Sequence, residues 1–262
     1  MSFFDTHTHL DYLQRSTGES LSSLVANALL ADVQKILIVA VKQDDFENIL
    51  NMTALFPSQL YCGLGLHPLY IQEHQLTHLD NLENYLRQSS TNLTAIAEIG
   101  LESSIPELLT DECWKKQCEF LEAQLLLAKQ YQLPVNLHSR KSHDQLFTFV
   151  KRLQLPKAGV LHGFSGSYEQ AKKFVELGYK IGVGGVITYQ RANKTRQVIS
   201  KLPLEALVLE TDTPDMPVFG FQGQVNRPER VAETFKSLCE LRAESPEVIQ
   251  DVIWKNSCKM FA

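Results

Sequence analysis

A chain of 262 residues with a net charge of −5 has the length of one α/β barrel domain. Its mild acidity argues against a protein that coats long duplex nucleic acid through a global positive field. The sequence holds no apolar run of membrane-spanning length, and its first residues lack the pattern of a signal peptide, so we expect a cytoplasmic protein. The five cysteines are scattered without a CxxC pair, which indicates reduced thiols.

Short apolar runs alternate with longer amphipathic segments along the chain. The runs predict eight buried strands, one beginning at Phe3 and the others at residues 36–41, 60–66, 93–99, 134–137, 159–161, 180–183 and 206–209. Helical patterns cover residues 114–130, 167–177, 226–241 and 246–261, with Ser167 as the N-cap of the second. Strands that alternate with helices imply parallel pairing, and eight such units favour an α/β fold of the (β/α)8 TIM barrel type, with residues 1–262 in one domain.

Histidines and carboxylates recur where these predicted strands end. The six candidates are His7, His9, Glu98, His138, His162 and Asp212. In a barrel, the carboxyl ends of the strands face a common mouth where active sites lie. One histidine there has an ordinary packing explanation, but charges buried together at six such positions would be costly without a cation.

We therefore predict a metal site. Six ligands exceed what one tetrahedral zinc ion with an open position needs, and they suit two divalent ions that share a bridging carboxylate. Imidazoles favour zinc, manganese or iron, while the carboxylates admit magnesium or manganese, so the identity of the metal stays open.

The strand ends also carry motifs that resemble the TatD-type metal-dependent hydrolases, whose better-known members are deoxyribonucleases. The matching stretches are residues 5–10, 65–68, 97–101, 137–140, 161–167 and 210–214, in the expected order along nearly the whole chain. Residues 220–224 resemble the YjjV-like branch of that family.

The resemblance implies a barrel of the amidohydrolase superfamily in which two ions divide the ligands. His7 and His9 would hold one ion, His138 and His162 would hold the other, and Glu98 would bridge them. Two residues, Glu98 and Asp212, form the predicted catalytic pair, so Glu98 is both a metal ligand and a catalytic residue.

Asp212, the other member of that pair, would bind the first ion and take the proton of the attacking water. We also predict substrate contacts by His67, which ends a strand, and by Arg140, which could clamp an anionic oxygen. A structural histidine and a surface salt bridge are the alternatives for these two. Glu210 shares the face of Asp212 and is expected to orient a metal-bound water or a histidine.

Two positions depart from the usual family pattern. Thr8 stands where the family usually has Cys, and Glu102 stands where it usually has Asp. We expect neither side chain to contact a proposed ligand, although Glu102 would reshape the mouth.

The first functional hypothesis is a phosphodiesterase or deoxyribonuclease whose substrate is a DNA end, short single-stranded DNA or a small phosphodiester. An amidohydrolase acting on a cyclic amide or an ester is the alternative. Many binuclear members of the superfamily bridge their ions with a carboxylated lysine on the fourth strand, whereas here that strand offers Glu98 and no lysine. A non-enzymatic metal-binding scaffold is a third possibility, but structural metal sites are usually closed. No feature points to an obligate protein partner.

Overall fold

The computed structural model describes residues 2–88 and 92–262, and the eight strands in these residues form one parallel sheet. The strands pair in chain order and curl into a nearly closed barrel, which confirms the predicted (β/α)8 fold. They are β1 (Phe3–Thr8), β2 (Val33–Val39), β3 (Leu60–Leu64), β4 (Leu93–Glu102), β5 (Val135–Arg140), β6 (Gly159–Leu161), β7 (Lys180–Val183) and β8 (Leu207–Leu209).

Helices on the outside of the barrel connect the strands. In the described residues these are α1 (Leu10–Thr17), α2 (Leu21–Leu30), α3 (Phe46–Leu55), α4 (Leu76–Gln88), α5 (Asp111–Tyr131), α6 (His143–Leu153), α7 (Tyr168–Glu176), α8 (Asn193–Lys201), α9 (Val231–Leu241) and α10 (Pro246–Phe261). Ser167 caps α7 as predicted, since its side chain accepts a hydrogen bond from the backbone N–H of Gln170. No described helix is long and apolar enough to cross a membrane.

Helix α9 begins five residues later than the predicted segment 226–241. The side chain of Asn226 is buried and donates hydrogen bonds to the carbonyl oxygens of Thr211 (2.8 Å) and Met216 (3.2 Å). Pro228 then opens a short 3-10 turn, which ends where α9 starts at Val231. The polar residues before α9 therefore fix the loop after β8 instead of extending the helix.

Strands β4 and β5 continue beyond the predicted ends. The register between them shifts between Ile96 and Ile99 and then resumes, so that Glu102 pairs with Arg140. As a result, Glu98 and His138 both lie within strands, whereas we expected Glu98 near the end of its strand and His138 just after one.

Alternation along β1 separates two apolar cores. Phe3 points outward and packs against Phe235 of α9, with ring centroids 5.0 Å apart. Phe4 points into the barrel, where it contacts Phe261 at the end of α10. The interior of the barrel is thus filled with side chains, which leaves the opposite end, where the histidines lie, for a site.

Candidate metal centre

Glu98 lies at the centre of the site, with a side chain only 2% exposed. Its Oε1 lies 2.6 Å from His162 Nε2 and 3.1 Å from His138 Nδ1. Its Oε2 lies 3.3 Å from His7 Nε2 and 3.5 Å from His9 Nε2. One carboxylate therefore divides four histidines into two pairs, one pair at each oxygen.

Asp212 adds a second carboxylate to one of these pairs. Its Oδ1 lies 3.5 Å from His7 Nε2 and 3.7 Å from His9 Nε2, and the three side chains form a group of suitable size for a metal ion. The backbone N–H of Asp212 donates to the carbonyl of His7, which fixes the loop after β8 beside β1. The structure thus brings all six predicted ligands together.

Hydrogen bonds at the Nδ1 atoms of His7 and His9 determine which nitrogen of each ring is available to bind an ion. Asn136 donates from its Nδ2 to Thr6 O, so its Oδ1 is turned to accept from His7 Nδ1, 3.1 Å away. His9 Nδ1 donates to the carbonyl of Val39 at 3.0 Å. Both rings therefore present an unprotonated Nε2 in their neutral form, and His7 Nε2 has no hydrogen-bond partner within residues 2–88 and 92–262. Such an orphaned, buried nitrogen fits a metal ligand.

His138 is oriented the opposite way. Its Nδ1 faces Glu98, and its Nε2 lies 3.1 Å from Oε2 of Glu102. The expectation that Glu102 contacts no proposed ligand is therefore wrong. The reason is the extension of β4, which carries Glu102 alongside β5 and its histidine.

His67 touches the same carboxylate and, with Glu98 and His138, forms a further group of suitable size for a metal ion. Its Nδ1 accepts a hydrogen bond from the backbone N–H of Leu69, so the neutral ring carries its proton on Nε2. That Nε2 lies 3.0 Å from Oε1 of Glu98. In that form the Nε2 of His67 is a hydrogen-bond donor to Glu98 and offers no lone pair to an ion.

Burial and mutual charge pull the pKa values of these groups in opposite directions. Burial would raise the pKa of Glu98, but the surrounding histidines hold it well below its ordinary value. Burial raises the pKa of Asp212 to about 7. Burial would lower the pKa of His7, but its interactions with Glu98 and the charges of Asp212 and Glu210 together outweigh burial and raise that pKa to about 10. Burial lowers the pKa of His162 to about 3. Imidazole and carboxylate groups must lose their protons to bind a metal ion. A divalent cation would therefore displace the protons that these side chains hold in its absence.

Glu210 lies deeper than the ligands and is fully buried. Its Oε1 accepts a hydrogen bond of 2.6 Å from the backbone N–H of Gly163, and it lies 4.0 Å from His162 Nδ1. Burial raises the pKa of Glu210 to about 8. A Cβ atom on Gly182 would lie 2.1 Å from the Glu210 carboxylate, so β7 needs glycine there to admit this side chain.

A cavity of about 560 Å³ opens above the site at the carboxyl ends of the strands. The ligands His9, Glu98, His138, His162 and Asp212 line it, as do His67 and Arg140. The side chain of Arg140 is exposed at this surface. The sequence pattern did not single out Asn136, although an amide inside an apolar strand, two residues before His138, is a signal for it.

A barrel whose mouth gathers four histidines and two carboxylates is the arrangement of a metal-dependent hydrolase. The family model described as TatD related DNase matches residues 4–262. The chain is 69% identical to an uncharacterized metal-dependent hydrolase of Haemophilus influenzae, over the full length of both proteins. It is 46% identical to the uncharacterized metal-dependent hydrolase YjjV of Escherichia coli, covering 99% of this chain and 97% of YjjV. The crystal structure of YjjV, a TatD homolog, matches with a TM-score of 0.92. The chain therefore belongs to the TatD family.

Proposed function

We propose that this hydrolase cleaves phosphodiester bonds with two divalent ions, and that its substrate is a DNA end, short single-stranded DNA or a small phosphodiester. The observation that carries the two-ion proposal is the division at Glu98, where Oε2 faces His7 and His9, and Oε1 faces His138 and His162 together with the hydrogen-bond donor His67. A bridging carboxylate with one oxygen toward each ion requires this arrangement. The nuclease part is supported by the family match.

The proposed residues have separate tasks. His7, His9 and Asp212 would hold one ion, His138 and His162 the other, and Glu98 both. Divalent ions in such a site, whether zinc, magnesium or manganese, supply an activated water and positive charge beside a scissile phosphate.

Proton transfer and substrate binding fall to the residues nearest the cavity. Asp212 is our candidate for the general base, because its partly exposed carboxylate reaches both the first histidine pair and the cavity. His67 would donate its Nε2 proton to an anionic oxygen, and Arg140 would bind a phosphate at the rim. The cavity has the volume of a typical small-molecule site and would admit a nucleotide.

A metal-reconstituted activity screen tests the proposal. Metal-free protein would be supplied in turn with zinc, manganese and magnesium and assayed on single-stranded DNA, duplex DNA, RNA and bis-p-nitrophenyl phosphate, alongside cyclic amides and carboxylic esters. We expect phosphodiester turnover that depends on added metal. Turnover of an amide or ester without any phosphodiester turnover would contradict the proposal in favour of the amidohydrolase alternative. A cytoplasmic location and a single domain over residues 1–262 stay predictions.

A further inference from the structure

His138 differs from the other four histidines at Glu98 in the nitrogen that it presents. The other four, His7, His9, His67 and His162, approach the carboxylate with Nε2, whereas His138 approaches with Nδ1. The same Nδ1 lies 3.4 Å from His162 Nε2, so this pair converges on one point. The imidazole of His138 can meet an ion there only if its proton is on Nε2.

Glu102 is the group that faces that Nε2, and its own position is fixed. It is 4% exposed, and its Oε1 accepts hydrogen bonds of 2.6 Å from both the backbone N–H and the Oγ of Ser104. Gln117 holds the backbone of the same residue, because its Oε1 accepts from Glu102 N and its Nε2 donates to Glu102 O. The remaining oxygen, Oε2, is thereby directed at His138 Nε2, 3.1 Å away.

The partners of the other histidines are neutral or more distant. His7 Nδ1 pairs with the amide of Asn136, and His9 Nδ1 pairs with a backbone carbonyl. His162 Nδ1 has no hydrogen-bond partner among residues 2–88 and 92–262. A carboxylate accepts a stronger hydrogen bond than an amide or a carbonyl, and it makes the opposite nitrogen of the ring a better electron donor.

We propose that Glu102 is a positioning residue that holds the proton of His138 on Nε2 and so directs Nδ1 to the ion shared with His162. The inference rests on the proposed two-ion site. It assigns Glu102 to one ion only, since Glu102 is not among the partners of His7 or His9. This role also gives a specific function to glutamate at a position where the family usually has the shorter aspartate, because Oε1 is occupied by Ser104 while Oε2 reaches the histidine.

The Glu102→Gln substitution tests this role sharply. The amide oxygen of the new side chain would accept from the N–H of Ser104, which turns its NH₂ group toward His138 Nε2. That nitrogen must then accept, which moves the proton to Nδ1 and removes the ligand. Glu107→Gln is the matched control, because Glu107 is exposed in the segment that follows β4, five residues after Glu102. Glu102→Ala serves as a second variant, since it removes the acceptor without imposing a new donor.

Ion binding is measured by titrating metal-free protein with Zn²⁺ against a chromophoric chelator. We expect two ions per wild-type chain and a Kd for one of them that rises about 10- to 100-fold in the Glu102→Gln variant. The Kd for the other ion, and both values in the Glu107→Gln variant, should match the wild type. Glu102→Ala should weaken the same ion by a smaller factor. Nitrogen-15 NMR of the Zn²⁺-loaded wild type should show a proton on His138 Nε2.

The possible results separate the two levels of inference. Two ions bound equally well by the wild type and by the Glu102→Gln variant would overturn the role of Glu102 alone. Selective loss of one ion, with no phosphodiester turnover by the wild type, would support Glu102 and contradict the proposed substrate. A wild-type chain that binds no ion would overturn both.

Discussion

Among single residues, Asp212 has the most demanding role, since the proposal makes it both a ligand and the proton acceptor. Asp212→Asn keeps the size of the side chain and one oxygen beside His7 and His9 but cannot take up a proton. We expect kcat to fall roughly 10²- to 10⁴-fold, the usual contribution of a general base, while two ions remain bound.

Steady-state kinetics and metal analysis of the same preparation check this prediction. Asp215→Asn is the matched control, because Asp215 is exposed and lines the same cavity three residues further on. Full turnover by an Asp212→Asn enzyme with both ions bound would show that another group takes the proton.

Residue patterns predicted the proposed ligands better than they predicted the side chains that hydrogen-bond to those ligands. Each ligand lies in or next to an apolar run, so its place at the mouth follows from strand direction. The contact of Glu102 with His138 depends on the register shift between Ile96 and Ile99, which no periodicity in the sequence reveals. Local patterns determine which strand carries a side chain, whereas the pairing of two strands determines which side chains meet.

Helix α5 is a second case in which the sequence pattern predicted an element but not the contacts that its side chains make. Its buried face carries two glutamines seven residues apart, Gln117 and Gln124, each 1% exposed. Gln124 accepts from the backbone N–H of Leu66 at 2.7 Å and donates to the carbonyl of the same residue at 3.2 Å. The apolar periodicity predicted the helix, but it could not show that two amides on it bind the backbone of β4 and of the loop after β3.

Replacing Gln124 with Leu should therefore destabilise the protein. The change leaves a buried N–H and a buried carbonyl of Leu66 unpaired, at roughly 1–3 kcal/mol for each group. Because His67 is the next residue, we also expect a higher KM for a phosphodiester substrate. Urea unfolding and steady-state kinetics provide the measurements, with Gln130→Leu on the exposed face of the same helix as the control. Equal stability of the two variants would argue against this anchoring role.

The segment between β3 and α4 contains a buried histidine that should make the fold sensitive to acid. His74 is 2% exposed, donates from Nε2 to the carbonyl of His67, and stacks on Phe120. Burial lowers its pKa to about 4, and the nearby His78, His67 and Lys116 add to the decrease. The folded state therefore disfavours the charged ring, so this contribution to stability is full above pH 6.5 and is lost as the pH falls through 4.

The His74→Gln variant isolates that effect, because the amide can still donate to the carbonyl of His67. Between pH 6.5 and 4, the free energy of unfolding of the wild type should fall by up to about 3 kcal/mol more than that of the variant. Urea unfolding at several pH values measures the difference. Parallel curves for wild type and His74→Gln would exclude His74 as the source of the sensitivity.

For the molecule as a whole, the alternation of strands and helices predicted the barrel, but its closure depends on contacts between distant residues. At the junction of β1 and β8, Asp5 accepts from the N–H and the Oγ1 of Thr211, and Thr6 donates to the carbonyl of Leu209. These bonds hold the end of β8 and Thr211 beside β1. Asp212, the residue after Thr211, therefore reaches His7. Hydrophobic patterns carry no information about such polar contacts between the first strand and the last.

The metal site should link stability of the whole barrel to divalent ions. An ion that binds only the folded state stabilises it by about 2.7 kcal/mol at a concentration one hundred times its Kd. For a chain of this size, that corresponds to a rise in Tm of roughly 5–10 °C. Calorimetry of metal-free protein with added zinc, manganese or magnesium measures the rise, and a chelator should reverse it. A His7→Ala, His9→Ala double variant should lose the part of the response that comes from the ion held by these two residues and keep the part that comes from the ion at His138 and His162. An unchanged Tm with every ion would mean that none binds, since binding to the folded state alone must stabilise it.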